Sequence, residues 1–503
     1  SLGGAIAHNV INNSVQARLT GGKVTLGESL LLQANNDSTI RTLAVAGGGS
    51  KEFAFNGSVT SAHISNDTIA EIGSTEGSDP QTVVDAKNVA VEAVDNSKIE
   101  ALSGAFTGSK TTAVGGAISV NTIGNNVIAR IGQSSLTLGS SLTVGALNRA
   151  IIRTLAAAAS GAQSAAVSGS LTESNIANLT EAELVDTRLV GGTNGVWIKA
   201  EDESQIDALA GGAAGSGSVA IGGAVVVNTV TNTTRSFLRE NAFRAAGTLS
   251  LEAHNKSVIH GISVAVGGSD SAAVNGSISG SVIANTTEAL MENTDVEATT
   301  DGGETSSKNV NIKAQDASEI YTLAGGVSGS GTAAVGGAVG TNVVGNTTAA
   351  RITGSHVSAS DATLVQADNQ SKIGTVSVSG AGSGTAAVTG SVAVSHIANT
   401  TEAEIVNSDV GNSSNNVSVL ATDASQISSV SGGAAASGTA SVGAAVSVNR
   451  IANTTTARVR GGNFAVEDLL VKGKTNSNIE SLAVGLGGSG VVGVAGSTAI
   501  NLI

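Results

Sequence analysis

Cysteine is absent from this 503-residue chain, so neither disulfides nor thiolate metal sites hold it together. Aromatic residues make up only 2% and there is a single proline, Pro80. A globular core of this size is normally filled with Phe, Leu, Tyr and Trp. Here Val, Ile, Leu and Ala supply the apolar material, which suits a narrow core between pleated strands. Clustered Lys and Arg are also missing. The net charge of −14 is spread thinly, which excludes a nucleic-acid-binding surface and an acidic tail alike. No run of 18 or more apolar residues escapes polar or glycine interruption, which argues against a transmembrane helix. An apolar content of 41% argues equally against disorder.

What the chain has is repetition. Eight times an isoleucine is followed 26 residues later by an asparagine: Ile40/Asn66, Ile99/Asn125, Ile152/Asn178, Ile206/Asn232, Ile259/Asn285, Ile320/Asn346, Ile373/Asn399 and Ile427/Asn453. An interval without one insertion belongs to a segment whose length its packing fixes. The asparagines, beginning at Asn13, recur every 53 to 61 residues, and the extra length always follows the asparagine. Periodicity of this size marks repeat and solenoid proteins. The two long copies carry turn-forming and acidic residues at Gly73–Asn88 and Asn293–Asn309. These read as mobile loops on one edge of a regular stack, since loops tolerate insertion and packed strands do not.

Each copy has unlike halves. After the asparagine the pattern alternates, as in Val417-Ser-Val419, with Leu, Ile, Met or Val always six residues on, giving one wet face. From isoleucine to asparagine the chain is small and apolar, as in Ala333–Val339, and reads as strand buried on both sides or laid against another surface. Glycine stands seventeen residues after the isoleucine in all copies but one, where Ala444 replaces it, which predicts a close backbone approach or a bend. A doubled period is superimposed. Asn36, Asp95, Asn148, Asp202, Asn255, Asp316, Asn369 and Asp423 alternate four residues before the isoleucine.

The residues Ser318-Glu-Ile320, Ala334–Val339, Asn346-Thr-Thr348 and Ala350-Arg-Ile352 exemplify a consensus shared by every copy. It resembles the repeats of the large filamentous leukotoxin and adhesin proteins of Gram-negative bacteria, haemagglutinin-like exoproteins. That resemblance implies a β-solenoid shaft exported through an outer-membrane pore and displayed at the cell surface.

Candidate chemistry is sparse. Asp95, Asp202, Asp316 and Asp423 could form a row of metal ligands, but their exchange with Asn favours Asx-turn residues bonding nearby amides. The histidines (His8, His63, His254, His260, His356, His396) sit at scattered phases without a matching acid or Cys. Trp197 and Tyr321 are too few for a sugar-stacking groove and read as loop or edge packing. The Asn-Thr-Thr triplets at Asn232, Asn285, Asn346, Asn399 and Asn453 match a glycosylation acceptor. In a repeat array they read better as asparagines stacked into a hydrogen-bonded ladder. No catalytic, cofactor-binding or metal residue is assigned.

The expected fold is all-β: an elongated parallel β-solenoid (β-helix) of about nine ~53-residue repeats in a single domain, 1–503. The repeats are approximately 1–39 (partial), 40–98, 99–151, 152–205, 206–258, 259–319, 320–372, 373–426, 427–478 and 479–503 (partial). The expected function is the non-enzymatic shaft of a surface filament or adhesin, extracellular or on the bacterial cell surface. Its expected partners are further copies of the array, end to end or laterally, and a host-surface or matrix ligand, with no nucleic acid. The alternatives are a polysaccharide-acting β-helix enzyme and a leukotoxin fragment. With no polar cap at either end, the chain reads as a window of a longer array. The residue five after each asparagine (Arg18, Glu71, Arg130, Glu183, then Phe237 and Leu290, Arg351, Glu404, Arg458) nearly alternates in sign. That favours one broad turn of chain per repeat, with this column facing out as a charge ladder.

Overall fold

The computed structural model describes all residues except 74–80, 192–193, 246, 298–299, 302–303, 306–308 and 412–414. Among the described residues there is no helix; the chain is strand almost throughout. One copy shows the plan. A long strand, Gly195–Ser216, turns at Gly217 and Ser218 into a middle strand, Val219–Val230. After Thr231 and Asn232 come a short strand, Thr233–Arg239, and a fourth, Ala242–Ala245. The next long strand, Thr248–Ser269, begins the cycle again.

Pairing is parallel and joins equivalent positions of successive copies. Ile206 lies opposite Ile152 on one side and Ile259 on the other. The middle strands form a ten-stranded sheet from Leu2–Ile11 to Val492–Leu502, while the long, short and fourth strands make a second sheet that closes on itself. Arg130 and Glu183 face each other directly, with no strand between them. One period of sequence therefore makes one turn of chain, as the charge alternation predicts.

Three kinds of packing divide the cross-section. The first half of the long strand, the short strand and the fourth enclose a Val/Ile/Leu core that includes Val196, Ile198, Leu184 and Leu189. Beside it, the recurrent isoleucines of the long strands meet Ile64, Ile123, Ile176 and Val230 from the ends of the middle strands, a second apolar column. Beyond that, the second half of the long strand lies face to face with the middle strand as a two-layer arm. The layers are close. A Cβ on Gly212 would stand 2.3 Å from the Gly223 carbonyl oxygen, and one on Gly326 2.2 Å from that of Gly337.

The close backbone approach expected at the glycines seventeen after the isoleucine is present: the carbonyls of Gly223 and Gly337 lie against Gly212 and Gly326, six residues after the isoleucine, where Ala or Ser stands in most other copies. An added Cβ at Gly116, Gly169, Gly276, Gly337 or Gly390, seventeen after it, meets nothing within 4 Å. Of the two arrangements expected for the small apolar half, it is laid against another surface, the long strand, and is not buried on both faces. The gap admits mostly short side chains, so Ala, Ser, Thr and Asn fill most of it, and alternation sends most of the Val, Ile and Leu outward. Ser168, Ser170 and Thr172 are buried between the layers, while Ile221, Val274, Ile278 and Val335 on neighbouring strands are each 41–48% exposed.

The predicted loop at Gly73–Asn88 is shorter than expected, because Thr82 onward belongs to the strand Thr82–Ser109. Of Asn293–Asn309, Asp295–Glu297 is strand, and Thr300–Asp301 pairs antiparallel with Glu304–Thr305. The remaining parts, on which the expected mobility and shared edge depend, lie largely outside the described residues.

Candidate functional site

The most elaborate polar constellation is the ladder at the end of the middle strands. The backbone N–H of Asn13 donates to Oδ1 of Asn66 at 3.1 Å, and that of Asn66 to Asn125 at 3.3 Å. The same bond links Asn125, Asn178, Asn232, Asn285, Asn346, Asn399 and Asn453 in turn. These asparagines sit in the two-residue breaks between middle and short strands, and the stacked ladder expected from the sequence is present. Their Nδ2 groups point inward to the aspartate column. Asp202 accepts from Asn232 Nδ2 at 2.6 Å, Ser204 Oγ at 2.7 Å, Asn148 Nδ2 at 3.0 Å, Asn178 Nδ2 at 3.2 Å and Thr180 Oγ1 at 3.3 Å. Asp95, Asp316 and Asp423 have equivalent Asn and Ser donors.

The aspartates are therefore not Asx-turn residues. They lie inside the long strands, at most 2% exposed, and bond side chains from the facing elements. The hydrogen-bonding role was legible in the Asp/Asn exchange; the place was not. Burial pushes the Asp202 and Asp316 carboxyls up to about 6, against the pull of their donors, and raises Asp95 and Asp423 in the same direction. Alternation has a physical reason here. Asn36 Nδ2 donates to Asp95 Oδ2 at 2.7 Å, as Asn148 does to Asp202, so a buried carboxylate meets an amide rather than another carboxylate.

The charge column five residues after each asparagine is only partly the exposed ladder expected. Glu71 is clamped between Arg18 Nε at 3.2 Å and Arg130 Nε at 2.7 Å, with its side chain 6% exposed. Glu404 sits likewise between Arg351 and Arg458. The long arginine stems lie over the shorter glutamate and exclude water. Near the centre, burial and the neighbouring Glu183 raise Glu181 to about 7, partly offset by Arg235.

A concavity of about 810 Å³ runs across the outer face of the long strands. Its floor is an in-register aliphatic row that includes Leu43, Leu102, Leu155, Leu209 and Ile262. Its rim is a row of paired charges. Arg41 bonds Glu100 at 2.8 Å, and Asp207 takes Arg153 at 3.5 Å and His260 Nδ1 at 2.8 Å. The groove can hold an aliphatic surface on its floor and hydrogen-bond at its rim.

The histidines are dispersed: His254 lies 3.6 Å from Glu201, and His63 and His396 lie on the outward side of the middle strands. Among the described residues no three His, Cys, Asp or Glu side chains cluster as metal ligands. Trp197 and Tyr321 belong to long strands rather than loops or edges. The Tyr321 ring leans over Gly374 of the next turn and lies 5.8 Å from the His260 ring. Comparison with known proteins finds no matching family model, curated protein or solved structure.

Proposed function

We propose that the chain is a β-solenoid of about nine stacked repeats that forms the shaft of a bacterial surface filament or adhesin. The observation that carries this reading is the copy-on-copy register, with the long, middle and short strands bonded to their equivalents one period on and an unbroken asparagine ladder beside them. A body built this way transmits load through repeated parallel hydrogen bonds. Ten strands at roughly 4.8 Å make a stack only about 48 Å tall, so a long shaft requires further turns or end-to-end association. Further turns, of the same chain or of another copy, would add to the outer backbone edges of Leu2–Ile11 and Val492–Leu502. The sequence resemblance to filamentous leukotoxins and adhesins agrees with a place outside the cell, and the paired-charge groove is a candidate contact for a host-surface or matrix ligand.

Electron microscopy of the purified chain tests the shaft. We expect rods whose lengths are multiples of the single stack, shortened to single units by Ala495→Pro together with Thr498→Pro. Those two positions cover both hydrogen-bonding sides of the last strand. Particles of one size in both samples would sink end-to-end growth. Failure of a protease to reach the chain on intact source cells would sink the surface location.

A further inference from the structure

Among the described residues nothing covers the outer face of the ten-stranded sheet, although all-parallel sheets are normally covered on both faces. Two aliphatic ridges run along it in register. One passes through Val167, Ile221, Val274, Val335 and Val388, the other through Leu171, Val225, Ile278, Val339 and Val392. Between them lies a furrow floored by Gly169, Gly223, Gly276, Gly337 and Gly390. Most of these glycines have open space where a Cβ would stand, and none has a positive φ. Glycine inside a strand costs roughly 0.5–1 kcal/mol relative to alanine. Nothing within one chain accounts for that cost at position after position, whereas an occupant of the furrow does.

We propose that the occupant is a second copy of this chain, packed middle-strand sheet against middle-strand sheet, with a Val/Ile/Leu ridge of each copy seated in the glycine furrow of the other. Three observations select it. Among the outward positions of these strands only Glu173 and Arg450 carry a full charge, so a charged partner finds nothing to pair with. The face measures roughly 48 by 40 Å, from ten strands of about twelve residues, or about 1,900 Å², more than the roughly 800 Å² per partner of a stable complex. Ridge and furrow run side by side, so a two-fold axis sets the ridge of each copy into the furrow of the other, an isologous contact packed like a steric zipper. This deepens the shaft reading by adding lateral pairing to end-to-end growth, but the two stand on different surfaces.

Because the chain has no cysteine, single introduced thiols report unambiguously. Gly280→Cys, on the same outward face but outside the furrow, and Gly215→Cys on the long-strand face both have room for the new side chain, so both variants fold. With a short bismaleimide, Gly280→Cys should cross-link to a dimer and Gly215→Cys should remain monomer. In sedimentation the edge-blocked Ala495→Pro/Thr498→Pro chain should still dimerise. Adding Val225→Lys, Ile278→Lys and Val339→Lys should weaken that dimer at least a hundredfold, with circular dichroism and melting unchanged. A monomeric edge-blocked chain at micromolar concentration, a dimer that survives the lysines, or cross-linking at Gly215→Cys alone would overturn the proposal. So would capture of a monomeric chain by phosphatidylcholine vesicles, which would assign the face to lipid. Loss of rods with retention of the dimer would count against the shaft reading only.

Discussion

Asp202 shows how much one buried side chain decides. Its folded carboxyl titrates at about 6 instead of 3.8, because desolvation outweighs five donors. An acid with a raised folded value binds its proton more tightly in the folded chain. Its stabilising contribution is therefore complete below about pH 4 and is lost as pH rises through about 6. The two-unit difference corresponds to about 3 kcal/mol at this site, as an order of magnitude. We expect unfolding free energy to decline between pH 4 and 6, and Asp202→Asn to flatten that decline by roughly this one share. Urea titrations at a series of pH values would reveal an unchanged slope if the placement is wrong. The arginine-clamped glutamates give a second contrast. Glu71→Gln leaves two arginines over one neutral group and should cost about 1–3 kcal/mol. Glu183, half-buried with no comparable clamp, should tolerate Glu183→Arg with a change under about 1 kcal/mol. Equal melting losses in the two variants would contradict this.

At the scale of the strand, each long strand serves two environments. Its first half supplies Val196, Ile198 and Ala200 to the apolar core, and its second half places Ala208 and Ala210 in the second apolar column with Ala224 and Val226 of the middle strand. Ile206 stands at the transition, fully buried against the column from the middle strands. Ile206→Ala opens a cavity there and should cost about 3 kcal/mol. Because each copy touches chiefly its neighbours, amide exchange should accelerate in the 206–232 segment and the turns beside it before it does at 373–399. Uniform acceleration along the chain would show that the copies unfold as one.

Over the whole molecule, the doubled period predicts which truncations are tolerated. Removing 206–258 joins equivalent positions and preserves strand register, but stacks Asp202 directly against Asp316. Two neighbouring buried carboxylates cannot both ionise without strong repulsion. Removing 206–319 instead brings Asp202 beside Asn369 and keeps the alternation. The larger deletion should therefore melt higher than the smaller one at pH 7, and the gap should shrink at pH 4, where the carboxyls are protonated. A smaller deletion that melts as high as the larger at pH 7 would show that the alternation is only a trace of duplication.

The repeat interval, the strand class, the asparagine ladder and one turn of chain per period were all readable from the sequence. Each is a consequence of period: a fixed 26-residue spacing, and near-alternating charge at Arg18, Glu71 and Arg130, are relations between equivalent positions, and stacking makes equivalents neighbours. The tertiary structure alone decided what lies across from what within a turn. Whether Asp202 sits in a turn or deep in a strand depends on the short strand folding back over it, and its neighbours in sequence do not encode that. The exposure of Val274 and the burial of Ser170 likewise depend on the separation of two layers. Period fixes contacts along the stack, whereas contacts across it follow from how closely two backbones approach.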